Sequence, residues 1–269
     1  MKRLLIVLMS LLSVATFPAR SAEPVKLPAK NRVHLFLLVG QSNMAGRGVV
    51  EESDRTPHPR VVMLDKEGRW VPAVDPMHFD KPAAGVGLGK TFGRLVAEAN
   101  PVVTIALIPC AVGGSPIDAW QPGYFYEPTK SRPWDDALRR AKLALSSGEL
   151  KGILWHQGES DSNAQLAPGY EAKLHDLIRR LRKELDAPEV PFIAGQMGIF
   201  SEKPWDESKQ LVDKAHRELP ARVSRTAFVS AKDLKHKGDQ IHFDSASCRE
   251  FGTRYATAYF QLTGKAPAR

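Results

Sequence analysis

Val33-His34-Leu35-Phe36-Leu37-Leu38-Val39 runs directly into Gly40-Gln41-Ser42-Asn43-Met44-Ala45-Gly46-Arg47-Gly48. Seven largely apolar residues rich in Val and Leu read as a strand covered on both faces. Strands of that kind belong to parallel sheets, where ligands bind beyond the carboxyl ends. Ser42 therefore falls at the sheet edge where chemistry is usually carried out. Gly40 permits a tight turn, and the backbone N–H groups after it can face an anion. The same residues also fit a plain Asn/Gly turn in which Ser42 is a turn hydroxyl, so the rest of the chain has to decide.

Working outward, apolar runs alternate with amphipathic ones. Short strands are expected at residues 60–65, 102–108, 152–155, 190–194 and 226–230, with 70–74 as an edge element or loop. Helices are expected at 88–99, 134–146, 167–185, 208–219 and 245–262, the last capped by Asp244 or Ser245. Strands alternating with helices imply a parallel sheet covered on both sides. No composition break divides residues 23–269, which read as a single domain. Gly85-Val86-Gly87-Leu88-Gly89-Lys90-Thr91 invites a phosphate-loop reading. Ala84 stands where the Walker spacing needs glycine, and Lys90 where the dinucleotide fingerprint does, so these glycines more simply let the chain pass close to the site.

The 269 residues are 43% hydrophobic and 25% charged, which is ordinary for a globular chain with a proper core. Residues 1–22 stand apart. Lys2 and Arg3 precede a short apolar run and then Ala19-Arg20-Ser21-Ala22, the pattern of a secretory signal, with Ser21 or Ala22 the last residue removed. The run is too short for a membrane span, so a secreted or periplasmic protein is expected. Formal net charge is +8; without Lys2, Arg3 and Arg20 it is 35 basic against 30 acidic residues, or +5. The basic residues are scattered over helix faces, which argues against a nucleic-acid partner. Cys110 and Cys248 could bridge in an oxidising compartment or stay as two buried thiols. The eight histidines include no His-Glu-x-x-His or close ligand cluster, so neither a metal nor another cofactor is expected.

Four strand ends carry unusual residues: Ser42; the Gly113-Gly114 pair; Gln157-Gly158-Glu159; and Gly238-Asp239-Gln240-Ile241-His242 before the last helix. A serine hydroxyl needs a base, and histidine serves near neutral pH. The histidine needs a partner to fix its tautomer, and Asp239, three residues before His242, can fold back onto it. A developing oxyanion needs donors; the backbone N–H of Ser42, one at Gly113 or Gly114, and the Gln157 side chain are candidates. Asn43, Arg47 and Glu159 are candidates for substrate contact or for holding the loops. Trp120, Tyr124, Phe125 and Tyr126 could stack on a sugar or pack onto the domain. His156, at a strand end, reads as structural. Met44 replaces the second glycine of a Gly-x-Ser-x-Gly elbow, which argues against the usual α/β-hydrolase order.

Gly-Gln-Ser-Asn-Met-Ala-Gly, Pro-Cys-Ala-Val-Gly-Gly-Ser, Trp-His-Gln-Gly-Glu-Ser-Asp and Asp-x-x-His together resemble the SGNH hydrolases, and more narrowly the sialate O-acetylesterase-like and acetyl xylan esterase branch of carbohydrate esterases. The resemblance covers residues 33–260. It implies an α/β fold: a three-layer α/β/α sandwich with a mostly parallel five-stranded sheet of the SGNH/flavodoxin-like kind. It implies Ser42 as nucleophile, His242 as base, Asp239 as its partner, and Ser42, Gly113 or Gly114, and Gln157 at the oxyanion. Asparagine takes the place of Gln157 in the wider superfamily, and the family often has glycine where this chain has Gln240. The expected activity is removal of O-acetyl groups from an acetylated carbohydrate. The rivals are a broader lipase or thioesterase of the same superfamily, and a carbohydrate-binding protein that kept the fold without the chemistry.

Overall fold

The computed structural model describes residues 23–264. The proposed signal segment lies outside the described residues. The opening stretch forms strand β1 (Val33–Gly40) and then a single helical turn, α1 (Ser42–Ala45). Successive β1 side chains point to opposite faces. Leu35, Leu37 and Val39 enter one apolar layer, and Phe36 and Leu38 the other. All five are fully buried, which is why the run shows no polar alternation.

The sheet has seven strands, where the family resemblance implied five. Chain order is β1, β2 (Val61–Leu64), β3 (Trp70–Pro72), β4 (Thr104–Pro109), β5 (Glu149–His156), β6 (Phe192–Gly195) and β7 (Thr226–Val229). Spatial order is β3-β2-β4-β1-β5-β6-β7. The difference arises at one edge: β2 pairs parallel to β4, and β3 pairs antiparallel to β2. All other neighbours are parallel. From β1 the chain runs out to β2 and β3, returns through β4 on one side of β1, and then crosses to β5 on the other side. A parallel sheet opens a crevice at such a switch point, outside the carboxyl ends of the strands.

Helices α3 (Gly89–Glu98) and α7 (Ser245–Thr263) cover the Phe36 face. Phe36 meets Phe92 and Tyr259 edge-to-face, with centroids 5.0 and 5.1 Å apart, the arrangement the ring quadrupoles favour. Helices α4 (Pro133–Leu145), α5 (Tyr170–Glu184) and α6 (Glu207–Arg222) cover the other face. Trp120, a candidate for sugar stacking, is fully buried there beside Trp155. Cys110 and Cys248 are free and belong to opposite faces, which rules out a bridge between them in this fold. Among the described residues no helix is long and apolar enough to cross a membrane.

At the crevice the backbones approach too closely for side chains. Gly40 holds φ +131°, and a Cβ there would stand 2.1 Å from the His156 carbonyl oxygen. Gly40→Ala combines backbone strain with overpacking and is expected to lower stability by about 3 kcal/mol or more. A urea unfolding midpoint equal to the parent's would show that the strands part more easily than this.

Candidate active site

Ser42 opens the turn that follows β1 and is 7% exposed. Its Oγ lies 3.0 Å from His242 Nε2. On the other side of the ring, His242 Nδ1 lies 2.7 Å from Asp239 Oδ2. Asp239 Oδ1 also accepts from the Ile241 and His242 backbone N–H groups, at 3.0 and 2.8 Å. Partial burial alone raises the Asp239 pKa, but the backbone and side-chain hydrogen bonds outweigh it and bring the carboxyl down to about 2. Gln240 supplies the turn at φ +58°, a conformation glycine adopts more freely. The Asp-x-x-His turn therefore forms without that glycine, at some backbone cost.

Two hundred residues separate Ser42 from His242, and Asn43 joins their loops. Its Nδ2 donates to the Ile241 carbonyl at 3.1 Å, and its Oδ1 accepts from the Phe243 N–H at 3.2 Å. These two peptides flank His242. The second Asn43 proton goes to Glu159 Oε1 at 2.6 Å. Both Nδ2 protons and the Oδ1 of Asn43 are thus engaged inside the protein, where the side chain clamps loops together. Glu159 anchors the clamp. Arg47 is likewise turned inward: it is 7% exposed and paired with Asp80 at 2.7 Å.

Gln157 is not placed as expected for an oxyanion donor. It is fully buried, and its Nε2 is directed to Gln41 Oε1, the Ser115 carbonyl and Asp161 Oδ2. Its Oε1 accepts from the Tyr170 hydroxyl at 2.8 Å. Tyr170 lies 2.8 Å from His216 Nε2, and burial pushes the His216 pKa down to about 3. A neutral His216 donating through Nε2 to Tyr170 gives the chain one polarity: His216 to Tyr170 to Gln157 to Gln41. Gln41 Oε1 also faces the Gly158 and Ser160 N–H groups. The Gln41 oxygen is saturated, and its amide nitrogen, on the residue before Ser42, has no acceptor among the described residues.

Gly113 and Gly114 also separate. The Val112 N–H donates to the Gly40 carbonyl at 2.9 Å, stitching this loop to the nucleophile turn. The Gly113 N–H is spent on Asp80 Oδ2 at 2.8 Å, so Gly113 is not the free donor. Gly114, at φ +83°, keeps its N–H without an acceptor among the described residues. Three donors on the loops that meet at Ser42 are therefore uncommitted: its own N–H, which heads a helical turn, the Gly114 N–H and the Gln41 amide. The sequence reading missed Gln41. Its place in Gly40-Gln41-Ser42 was the signal, but which of two glutamine amides has an unspent nitrogen is decided only by the packing.

His156 is fully buried, 3.0 Å from the Gln196 carbonyl and edge-on to Phe251, a structural histidine. Tyr124 and Phe125 are exposed, and a Cβ on Gly114 would lie 3.1 Å from the Tyr126 hydroxyl. Tyr126 therefore borders the Gly114 loop, whereas Trp120 is buried in the core. A hollow of about 210 Å³, lined by Glu159, Ser162, Lys203, Lys209, Gln240 and Ile241, opens beside the triad loop. A larger one of about 880 Å³ lies between α2 (Glu52–Arg55), α3, α7 and the 56–59 loop, and its lining includes none of the triad. Gly85 passes so close to Gly48 that a Cβ would strike its carbonyl, so those glycines bring the loop against the nucleophile turn.

Asn43→Ala frees the His242 loop and is expected to lower kcat about 100-fold with little change in KM; a parent-like kcat would refute the clamp. Asp239, with a folded pKa below its unfolded one, stabilises the fold above the unfolded value. That contribution is lost as the pH falls through about 2. The carboxylate is 34% exposed, so the gain over Asp239→Asn is expected to stay under about 1 kcal/mol at pH 7 after solvent screening. Denaturant titrations should show it vanish near pH 2; a gain that grows on acidification would contradict the hydrogen bonding.

The family model for carbohydrate esterases described as sialic acid-specific acetylesterases matches residues 32–261. A probable carbohydrate esterase from Arabidopsis thaliana is 32% identical over 248 residues, covering 84% of this chain and 89% of the relative. The crystal structure of the Arabidopsis protein superposes with a TM-score of 0.74 at 30% identity, over 85% of this chain and 98% of that one. NanS superposes at 0.71 with 17% identity, over 88% of this chain and 99% of that chain. A carbohydrate acetylesterase from Xanthomonas citri gives 0.67 at 20% identity, over 87% of this chain and 57% of that chain. These last two likenesses concern the fold. With the matched family spanning nearly all of the described residues, the chain belongs to the sialic acid-specific acetylesterase family of carbohydrate esterases and is a carboxylic ester hydrolase.

Proposed function

We propose that this chain is an exported serine esterase that releases acetate from O-acetylated carbohydrates through an acyl-enzyme. The observation that carries the proposal is the unbroken row Ser42 Oγ, His242, Asp239, with separations of 3.0 and 2.7 Å. In the first half-reaction Ser42 Oγ attacks the acetyl carbonyl and His242 Nε2 takes its proton. The carbonyl electrons move onto oxygen, which accepts from the Ser42 and Gly114 N–H groups and the Gln41 amide. Collapse breaks the bond to the sugar oxygen, which leaves with the proton from His242. In the second half-reaction His242 deprotonates water, water attacks the acetyl-serine, and acetate departs as Ser42 regains its proton. Asp239 holds the Nδ1 proton and stabilises the imidazolium formed in each half.

Gln157 acts one step back, as the group that holds the Gln41 amide in place. Export is supported by the basic, apolar and small-residue order of residues 1–22. No nucleic acid and no cofactor enters the proposed reaction.

Purified protein is expected to hydrolyse an aryl acetate faster than an aryl butyrate or octanoate, and to release acetate from an acetylated-glycan panel. Ser42→Ala should reduce turnover by at least about 10⁴-fold. Unchanged turnover in that variant would overturn the mechanism, and a preference for octanoate would overturn the acyl assignment.

A further inference from the structure

We propose that the Asp80 carboxylate, backed by Arg47, is a positioning residue for the oxyanion-binding loop, setting the Gly114 N–H through its bond to Gly113. The role presupposes Gly114 as an oxyanion donor, as proposed above. Asp80 lies in the long loop before α3, remote in sequence from both loops it joins. Its Oδ2 accepts from the Gly113 N–H at 2.8 Å and from Arg47 Nη2 at 2.7 Å. Arg47 Nη1 in turn donates to the Gly46 carbonyl at 2.8 Å, at the end of the nucleophile turn. One carboxylate oxygen therefore connects the turn bearing Ser42 to the loop bearing Gly114.

The peptide that presents the Gly114 N–H is held from both sides. Upstream, the Gly113 N–H is fixed on Asp80. Downstream, the Gly114 carbonyl accepts from Ser160 Oγ at 2.9 Å. Between these two anchors, the Gly114 N–H has no acceptor among the described residues. The fit around Gly113 leaves no slack, since a Cβ there would fall on the Arg47 guanidinium and 2.7 Å from Asp80 Oδ2. Only glycine allows the carboxylate and guanidinium to reach the backbone.

Stability alone explains the arrangement poorly. The two side chains are 5% and 1% exposed, and a buried ion pair is often no better than an apolar pair of the same volume. Asp80 Oδ1 is also buried without a partner among the described residues, a cost that a purely structural bridge would normally avoid. A fixed negative charge behind Gly113 does have a use: it holds that N–H turned away from the reacting centre, so that the next N–H is presented there without reorganisation.

The test compares parent, Asp80→Asn and Arg47→Lys on an aryl acetate, with rates normalised to titrated active sites and Ser42→Ala as the blank. Asp80→Asn is expected to lose about 100-fold in kcat with KM within about threefold, the pattern of a weakened oxyanion donor. Affinity for a small alkylboronic acid, which forms a tetrahedral adduct on Ser42, should fall in proportion to kcat/KM. Arg47→Lys keeps the charge but loses the fork, and is expected to lose about tenfold in kcat. If Asp80→Asn does not fold, Arg47→Lys decides by the same two measurements. Parent-like kcat per titrated site in the folded variants overturns the proposal, as does a kcat loss with unchanged boronate affinity. A parent that releases no acetate, or a Ser42→Ala blank that still does, overturns the esterase reading itself and this role with it.

Discussion

The Asn43 side chain is what allows this site to exist as a single object. Ser42 and His242, the proposed nucleophile and base, come from opposite ends of the chain, and the Asp239–His242 turn is largely at the surface. Hydrogen bonds within that turn orient the imidazole, but they do not decide where the turn sits. Asn43 does, by binding the peptides on either side of His242. A one-residue neighbour of the nucleophile thus measures the distance from Ser42 to its base. Glu159 completes the restraint from a third strand end. Loss of registry by about 1 Å is enough to impair catalysis severely, so a short polar side chain bonded through both its nitrogen and its oxygen suits this position better than a long flexible one.

The same economy governs the donors. In the buried row from His216 through Tyr170 and Gln157 to Gln41, each group satisfies the next and only the last amide keeps a nitrogen to offer. The oxyanion loop follows the same rule: Asp80 consumes the Gly113 N–H and leaves that of Gly114. Preorganised donors cost no reorganisation when charge develops. Preorganisation here amounts to committing the Gly113 N–H and the Gln157 amide to protein acceptors while the Gly114 N–H and the Gln41 amide are left uncommitted.

Much of the architecture was legible in the residues. The β1 run had no polar alternation because both faces are covered, and the helices declared themselves by their apolar stripes. The two edge strands were visible as short apolar stretches; what was not visible was that both join the main sheet. Short edge strands are stabilised by their neighbours, and local propensity says little about pairing. Ser42, Asp239 and His242 could be singled out because each chemistry-bearing type stood at a strand end or a helix entrance. Asn43, Arg47, Glu159 and Gln157 could be singled out as well, but their partners could not. A polar side chain near a site reads the same whether it faces substrate or protein.

Taken by itself, the sequence determined the alternation of strands and helices and the residue types that stand at the strand ends. Those properties are local, set by side-chain periodicity and by the turns glycine permits. The tertiary structure alone decided which of two glutamines offers an amide, which of two glycines offers an N–H, and that Arg47 and Asn43 face inward. The physical reason is that a hydrogen-bonding group has a fixed number of valences. Whether one is left for substrate depends on every partner within about 3 Å, and those partners come from segments that only folding brings together.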